Sequence, residues 1–105
     1  MTKSLVKNAA DETQVKEAEV KEKYGRDRDL DDIDFVLSTH KGRRFFWRML
    51  SVCGVFKLSF VNDPYGTAFN EGARSVGNQF LADAMDEINL QKYFQMANEA
   101  RQENR

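Results

Sequence analysis

Three arginines and a tryptophan lie close together near the middle of the chain, and their types suit the binding of a partner. They are Arg43, Arg44, Trp47 and Arg48. At about 100° per residue along a helix, they fall on one half, and the other half is apolar: Phe45, Phe46, Met49, Leu50, Val52 and Cys53. Arginine pairs with carboxylates and phosphates, and both residue types are enriched where proteins bind each other. The pattern predicts a helix with a core face and an exposed basic face, on which Trp47 points outward.

The basic face suits a protein partner, but it can also be ordinary surface that binds nothing. As a docking face it comprises the four residues above, with Arg74 from later in the chain. As a solvated or internally paired face it needs no partner, since charged faces are usually surface. Arg74 lies at the edge of an apolar stripe, where an unpaired charge is costly. We expect it to bridge Glu71, an acidic residue of another helix or loop carbonyls.

Nucleic acid is the alternative partner for the same face. Clustered cations bind phosphates and a tryptophan can stack on a base. The footprint would be His40, Lys41, Arg43, Arg44, Trp47 and Arg48. The net charge is −1, with acidic segments on both sides of the face, so the field over most of the molecule should repel DNA. We therefore expect a protein partner first and DNA second.

The sequence contains no constellation typical of catalysis or metal binding. His40 and Cys53 are the only histidine and the only cysteine, so no Cys/His cluster can form. The carboxylates are scattered, and no glycine-rich phosphate loop follows a strand. We expect a non-enzymatic protein without a cofactor or a metal, in which Cys53 packs as a small hydrophobe.

The apolar runs are too short for a membrane protein. None approaches the roughly 20 residues that span a bilayer, and the first residues lack the apolar segment of a secretory signal. We expect an intracellular protein that does not associate with membranes.

Charge and helix signals divide the 105 residues into a charged arm, residues 1–28, and a helical domain, residues 29–105. The arm is predicted to be partly helical from Asp11 to Tyr24, with Gly25 as a stop. Its apolar stripe is thin, so it needs a neighbour to stay ordered. Five aspartates between Asp27 and Asp34 precede a purely basic segment, residues 35–60. These two runs either neutralise each other or face different partners.

The domain is predicted to be an all-α bundle of three or four helices. Its helix ends are expected at Asp29, Ser38 and Thr39, Gly54, Thr67 and Asn89. Residues 55–66 should form a loop pinned by Phe56, Leu58 and Phe60. The expected core comprises Phe45, Phe46, Met49, Leu50, Phe56, Phe69, Val76, Phe80, Leu81 and Phe94.

Two glycines, Gly72 and Gly77, interrupt the longest predicted helix. Each costs about 1 kcal/mol relative to alanine in a helix interior, so something should compensate. Gly77 lies in the middle of the apolar face, where a missing side chain lets another helix approach closely. Backbone contact with a partner subunit is the alternative.

Two segments carry a resemblance to a known family. The first runs from residues 42–50 (GRRFFWRML) through residues 53–56 (CGVF), and the second is residues 67–77 (TAFNEGARSVG). In this order, and with the tail of Tyr93, Met96 and Glu99, they resemble small proteins of podovirus-type tailed phages that are encoded in the head and portal gene neighbourhood. The resemblance covers about residues 29–100.

The resemblance implies a phage virion-associated or head/portal assembly protein. Its partners would be other phage structural proteins, such as portal or head/tail components, or another copy of itself. It would lie in the host cytoplasm during assembly and then in the virion. A small phage DNA-binding, regulatory or host-directed protein that uses the same basic face is the alternative.

Overall fold

The computed structural model describes residues 2–57 and 61–103, with side chains described from residue 11 onward. This part of the chain forms no strand and four helices: α1 Thr2–Val36, α2 His40–Val52, α3 Pro64–Ala84 and α4 Leu90–Gln102. The helices pack around one apolar cluster, so the predicted all-α bundle is confirmed. Leu58 and Phe60, predicted to pin a loop, lie outside the described residues.

The first helix is longer than the sequence predicts. Gly25 was expected to stop it, but α1 continues for 35 residues through that position. A glycine with good helix formers on both sides weakens a helix without ending it, because only its backbone entropy is unfavourable. Arm and domain therefore share one helix, and the boundary predicted at residues 28 and 29 lies inside it. Burial begins at Leu30, whereas nearly all preceding side chains from Asp11 are exposed.

Both ends of α2 follow the predicted signals. Thr39 is the N-cap, and its Oγ1 accepts a hydrogen bond from the Gly42 N–H at 3.0 Å. At the other end, Gly54 has a φ of 78°, which glycine adopts without the penalty that a Cβ imposes. The Val55 N–H then donates to the Leu50 carbonyl at 3.3 Å, the bond that typifies a Schellman cap.

The predicted start of α3 was wrong by one turn. The helix begins at Pro64, and the carboxylate of Asp63 accepts hydrogen bonds from the N–H groups of Tyr65 and Gly66 at 3.2 and 3.1 Å. Proline suits this position because its fixed φ is helical and its missing N–H would have had no partner. Thr67, the expected cap, lies within the helix, and its hydroxyl bonds the backbone of Val61 instead.

The core contains fewer residues than expected, and several of its members were not predicted. It consists of Ile33, Leu37, Phe46, Leu50, Ala84 and Met96, with Met49 and Leu81 at its edge. The prediction is thus confirmed for Phe46 and Leu50. It is wrong for six expected core members, which are exposed: Phe45, Phe56, Phe69, Val76, Phe80 and Phe94. Helical periodicity shows which residues share a face, but it does not show whether another helix covers that face.

Close packing at Gly77 compensates the free-energy cost of a glycine in a helix interior, as predicted. It is buried, and a Cβ there would lie 2.6 Å from Cys53 Cβ and 2.7 Å from Val55 Cγ1. Both distances are far below van der Waals contact. The missing side chain therefore lets the end of α2 rest on α3.

Asn89 links α1 to α3 through hydrogen bonds and does not cap α4. It precedes α4 as predicted, but its side chain makes no capping hydrogen bond. It is fully buried, and Nδ2 donates to the carbonyls of Leu30 and Asp83, each at 3.1 Å. An ion pair between Lys92 and Asp34 joins α4 to α1 nearby. Among the described helices, none has the length and apolar character needed to cross a membrane.

Candidate functional site

The predicted basic face of α2 is divided, because Arg43 points inward. It was expected on the exposed face, but it is buried. Its Nε and Nη2 donate to the two carboxylate oxygens of Glu99 at 2.8 and 3.1 Å, and Nη1 donates to the Leu37 carbonyl at 3.0 Å. The reason is spacing: Arg43 precedes the buried Phe46 by three residues and Leu50 by seven, which places all three on one face of the helix. The guanidinium is tolerated inside because a carboxylate and a carbonyl pair with it.

Glu99 on α4 is the centre of a charge cluster that sequence reasoning missed. Besides the Arg43 bond, His40 Nδ1 lies 3.2 Å from its Oε2, and His40 Nε2 lies 3.5 Å from Glu103 Oε1. Hydrogen bonding from Arg43, and then from His40, lowers the pKa of the Glu99 carboxyl below its ordinary value, against the effect of burial. Glu99 and Arg43 are 56 residues apart, so no local pattern could reveal the pair.

Trp47 was predicted to point outward among cations, but it does not. It is half-buried at the edge of the core, and its ring stacks on Phe56 with ring centroids 4.7 Å apart. The two rings line a cleft of about 450 Å³ between α2 and α4. Met96 and Ala100 add apolar wall from α4. The cleft therefore presents aromatic and aliphatic surface, the usual lining of a site that takes an apolar side chain.

The rim of the cleft is charged on both sides. Arg44, Arg48 and Lys57 contribute cations, and Glu99 and Glu103 contribute carboxylates from α4. The carboxylates already contact His40 and, for Glu99, Arg43. Within the described ranges, Arg44 and Arg48 form no ion pair. The rim therefore has unneutralised positive charge on the α2 side.

Arg48 is held by an aromatic neighbour instead of a carboxylate. Its guanidinium carbon lies 5.4 Å from the centroid of the exposed Phe45 ring, a cation–π contact. Lys41 and Arg44 lie beside this pair and are exposed. Lys41, Arg44, Phe45 and Arg48 thus form an outward basic surface, which we call the α2 basic patch.

The acidic and basic runs do not neutralise each other in the described part of the chain. Asp34 pairs with Lys92, and Asp27 and Asp29 pair with Lys23 and Arg28. None of these partners belongs to the α2 basic patch. Of the two alternatives drawn from the sequence, this arrangement favours runs that face different partners.

Arg74 lies apart from the cleft, on α3. Its Nη1 is 3.6 Å from Glu71 Oε1, which is one of the bridges expected for it. The side chain is half-exposed, and its Nε is buried with no hydrogen-bond partner among the described residues. The structure therefore does not bring Arg74 together with the arginines of α2.

The remaining candidates do not add a chemical centre. Cys53 is a half-buried free thiol beside Gly77, as expected of a small packing residue. In residues 11–57 and 61–103, the histidine, cysteine and carboxylate side chains form no group of three that could hold a metal ion. In the described part of the chain, the best candidate for a binding site is the apolar cleft with its charged rim.

Comparison with known proteins supports the phage resemblance. A family model described as Bbp19-like phage protein matches residues 33–98. Searches among curated proteins and among solved structures found no match. The podovirus type and the head/portal gene neighbourhood stay predictions.

The matched span coincides with the packed part of the molecule. It begins in the last turn of α1, contains all of α2 and α3, and ends within α4. It includes the cleft-lining Trp47, Phe56 and Met96 and leaves out the exposed arm. Because the match covers well over half of the 105 residues, the chain belongs to the family of Bbp19-like phage proteins.

Proposed function

We propose that this phage protein is a non-enzymatic virion-associated or head/portal assembly protein, which docks onto another phage structural protein through α2. The observation that carries the proposal is the apolar cleft beside unpaired arginines. Arg44 and Arg48 are exposed without a carboxylate partner in the described part of the chain, and Trp47 and Phe56 line the cleft next to them. An apolar centre with a charged rim is the usual anatomy of a protein interface.

The chemistry of the cleft indicates what the partner presents. An aromatic or aliphatic side chain would enter beside the stacked rings of Trp47 and Phe56, because burying their exposed apolar surface is favourable. Carboxylates flanking that side chain would pair with Arg44 and Arg48, since arginine binds carboxylates in a bidentate fashion. The partner we propose is therefore an acidic segment with an apolar anchor, carried by a portal, head or tail component.

Arg43 has a different role in this proposal from the one expected of it. Its bonds to Glu99 hold α2 against α4, and that contact sets the width of the cleft. We assign Arg43 as a positioning residue, which supports the cleft without touching the partner.

DNA is the less favoured partner. Of its six-residue footprint, Arg43 is buried, His40 contacts two glutamates and Trp47 stacks on Phe56. Only three cations of the footprint stay exposed and available, namely Lys41, Arg44 and Arg48. These placements support a protein partner over DNA.

The test measures how much of a variant protein with two charge reversals, Arg44→Glu and Arg48→Glu, is incorporated into phage particles. Nuclease-treated particles and assembly intermediates are analysed by quantitative mass spectrometry. We expect incorporation to fall by at least about tenfold, the scale of an interface hot spot, while the helical circular dichroism signal is unchanged because both side chains are exposed. Arg26→Glu with Arg101→Glu makes the same charge change at two exposed sites away from the cleft and should incorporate normally.

Two results would contradict the proposal. Normal incorporation of the double reversal would exclude α2 as the docking face. Absence of the wild-type protein from particles and intermediates alike would exclude the structural role. Steeply salt-dependent retention of a DNA duplex by the purified protein would then favour the DNA-binding alternative.

A further inference from the structure

Helix α3 carries an apolar face that the described chain does not cover. Tyr65 and Phe69 are 87% and 76% exposed, and Val76 and Phe80 are 50% and 39% exposed. The bundle is packed against a different side of the same helix, through the buried Gly77 and Ala84. The exposed side chains therefore form a second face, distinct from the face that holds α3 in the fold.

The spacing of this second face is that of a helix–helix seam. Tyr65, Phe69, Gly72 and Val76 follow one another at steps of four, three and four residues, the spacing that places side chains along one line of contact with another helix. Phe80 continues the line. The charged residues of this stretch, Glu71 and Arg74, lie on other sides of the helix at 100° per residue. An uncharged strip thus runs along α3 from Tyr65 to Phe80, and we call it the α3 strip.

Gly72, in the middle of the α3 strip, has no packing neighbour among the described residues. At Gly77 a Cβ would collide with Cys53 and Val55, whereas at Gly72 the space around a Cβ is open apart from adjacent residues and the helix's own backbone. A glycine in a helix interior costs about 1 kcal/mol relative to alanine. No contact among the described residues compensates this cost at Gly72, and the missing side chain leaves a notch in the α3 strip.

We propose that the α3 strip is a homodimer interface, in which α3 packs antiparallel against α3 of a second copy. A two-fold axis crossing the helix near residue 74 places Val76 of each copy opposite the notch at Gly72 of the other. The same axis brings Phe69 beside Phe80 of the second copy. An isologous interface needs such self-complementarity within one surface, and the notch and its filling residue lie one turn apart on this strip.

The absence of charge on the strip argues for a second copy over an unrelated partner. An interface that meets itself must not place like charges together, because that juxtaposition is strongly unfavourable. No such conflict arises between two α3 strips, whereas two α2 basic patches would repel each other. One helix pair buries less than the roughly 800 Å² per partner of a stable complex, so we expect a reversible dimer in solution. This dimer is independent of the proposed docking through the cleft.

The test is sedimentation equilibrium of the full-length protein from low micromolar to near-millimolar concentration. We expect the wild-type protein to pass from monomer to dimer over this range. Gly72→Leu fills the notch and should raise the dimer dissociation constant by at least about tenfold, which corresponds to about 1.4 kcal/mol. The monomer should fold as before, since leucine is the better helix former and the site is open.

Gly25→Leu is the matched control, because Gly25 is also inside a helix with open space around it. It should leave the dissociation constant unchanged. A second variant, Val76→Glu, brings a carboxylate into the seam and should likewise prevent dimerisation. A wild-type protein that stays monomeric throughout, or a Gly72→Leu and a Val76→Glu variant that dimerise like the wild type, would overturn the proposal.

Discussion

At the scale of single residues, the central interaction is the bidentate pair between Arg43 and Glu99. Arg43 is buried, and the Glu99 side chain is 23% exposed. The two guanidinium bonds, of 2.8 and 3.1 Å, meet one carboxylate, the bidentate geometry in which charge-assisted hydrogen bonds are strong. Arg43 is therefore the structural arginine of α2, whereas Arg44 and Arg48 are exposed.

The lowered pKa of Glu99 makes stability depend on pH. Its ordinary value is 4.5, so between that value and the lowered one the folded protein binds fewer protons than the unfolded chain. The resulting stabilisation is complete above pH 4.5 and is lost as the pH falls through the folded value. Asp83 acts in the opposite direction, because burial, and then Asp29 and Asp86, raises its pKa.

Glu99→Gln isolates the first effect. We expect the variant to be less stable than the wild type by about 1.5–3 kcal/mol at neutral pH, the range for hydrogen bonds to charged groups. The difference should shrink as the pH falls below 4.5, because protonation then removes the wild-type charge as well. Urea unfolding at a series of pH values measures it. Glu87→Gln, at an exposed carboxylate elsewhere, is the control and should leave the free energy of unfolding at neutral pH nearly unchanged. A pH-independent difference for Glu99→Gln would contradict the assignment.

At the scale of elements, α2 and α4 depend on each other. Each has 13 residues, a length at which an isolated helix is marginal in water. Their contact combines the apolar Phe46, Leu50 and Met96 with the Arg43 and Glu99 pair. The end of α2 is then fixed on α3 at Gly77. The cleft is consequently bounded by two helices whose relative position is fixed by both polar and apolar contacts.

Alanine at the two glycines of α3 should change stability in opposite directions. Gly77→Ala forces a Cβ against Cys53 and Val55 and should destabilise by about 1–3 kcal/mol, as overpacking does. Gly72→Ala meets nothing within 4 Å and should stabilise by about 0.5–1 kcal/mol through helix propensity. Thermal unfolding in dilute solution measures both. Effects of equal sign would show that the contact between α2 and α3 does not constrain Gly77.

At the scale of the whole molecule, the protein is long and thin. Its radius of gyration is 19.8 Å and its extents are 67, 39 and 15 Å, whereas a compact chain of this length has a radius of gyration near ~13 Å. The long α1 accounts for the length. A body only 15 Å thick encloses few side chains completely, which explains why so many aromatic side chains are exposed. Surfaces of this kind are typical of proteins that complete their packing with partners.

The exposed part of α1 should be much less protected than its packed end. We expect amides of residues 11–27 to exchange hydrogen rapidly in the isolated protein, because side chains there are exposed and make few tertiary contacts. Residues 30–36 of the same helix carry the buried Leu30 and Ile33 and should exchange slowly. Hydrogen–deuterium exchange with mass spectrometry compares the two segments directly. Equal protection along both would show that the arm is stable without a partner.

The sequence was sufficient for features that depend on neighbouring residues. It predicted the all-α class, the cap at Thr39 and the end of α2 at Gly54, because capping, positive φ and helix propensity are local. The close approach at Gly77 was also predicted, from a missing side chain within an apolar stripe, but not which residues approach it. Where a proline competed, at Pro64, the stronger local signal displaced the expected start at Thr67.

The long-range contacts were beyond the reach of the sequence. Arg43 was expected outside because helix geometry places it with the other polar residues of α2, but its partner Glu99 lies 56 residues away, and no pattern along the chain joins them. Phe69 and Phe80 were expected inside because they are apolar, yet the thin bundle has no element to cover them. Local chemistry thus determined where each helix begins and ends, whereas three-dimensional packing determined which charges are buried and which apolar side chains are left for a partner.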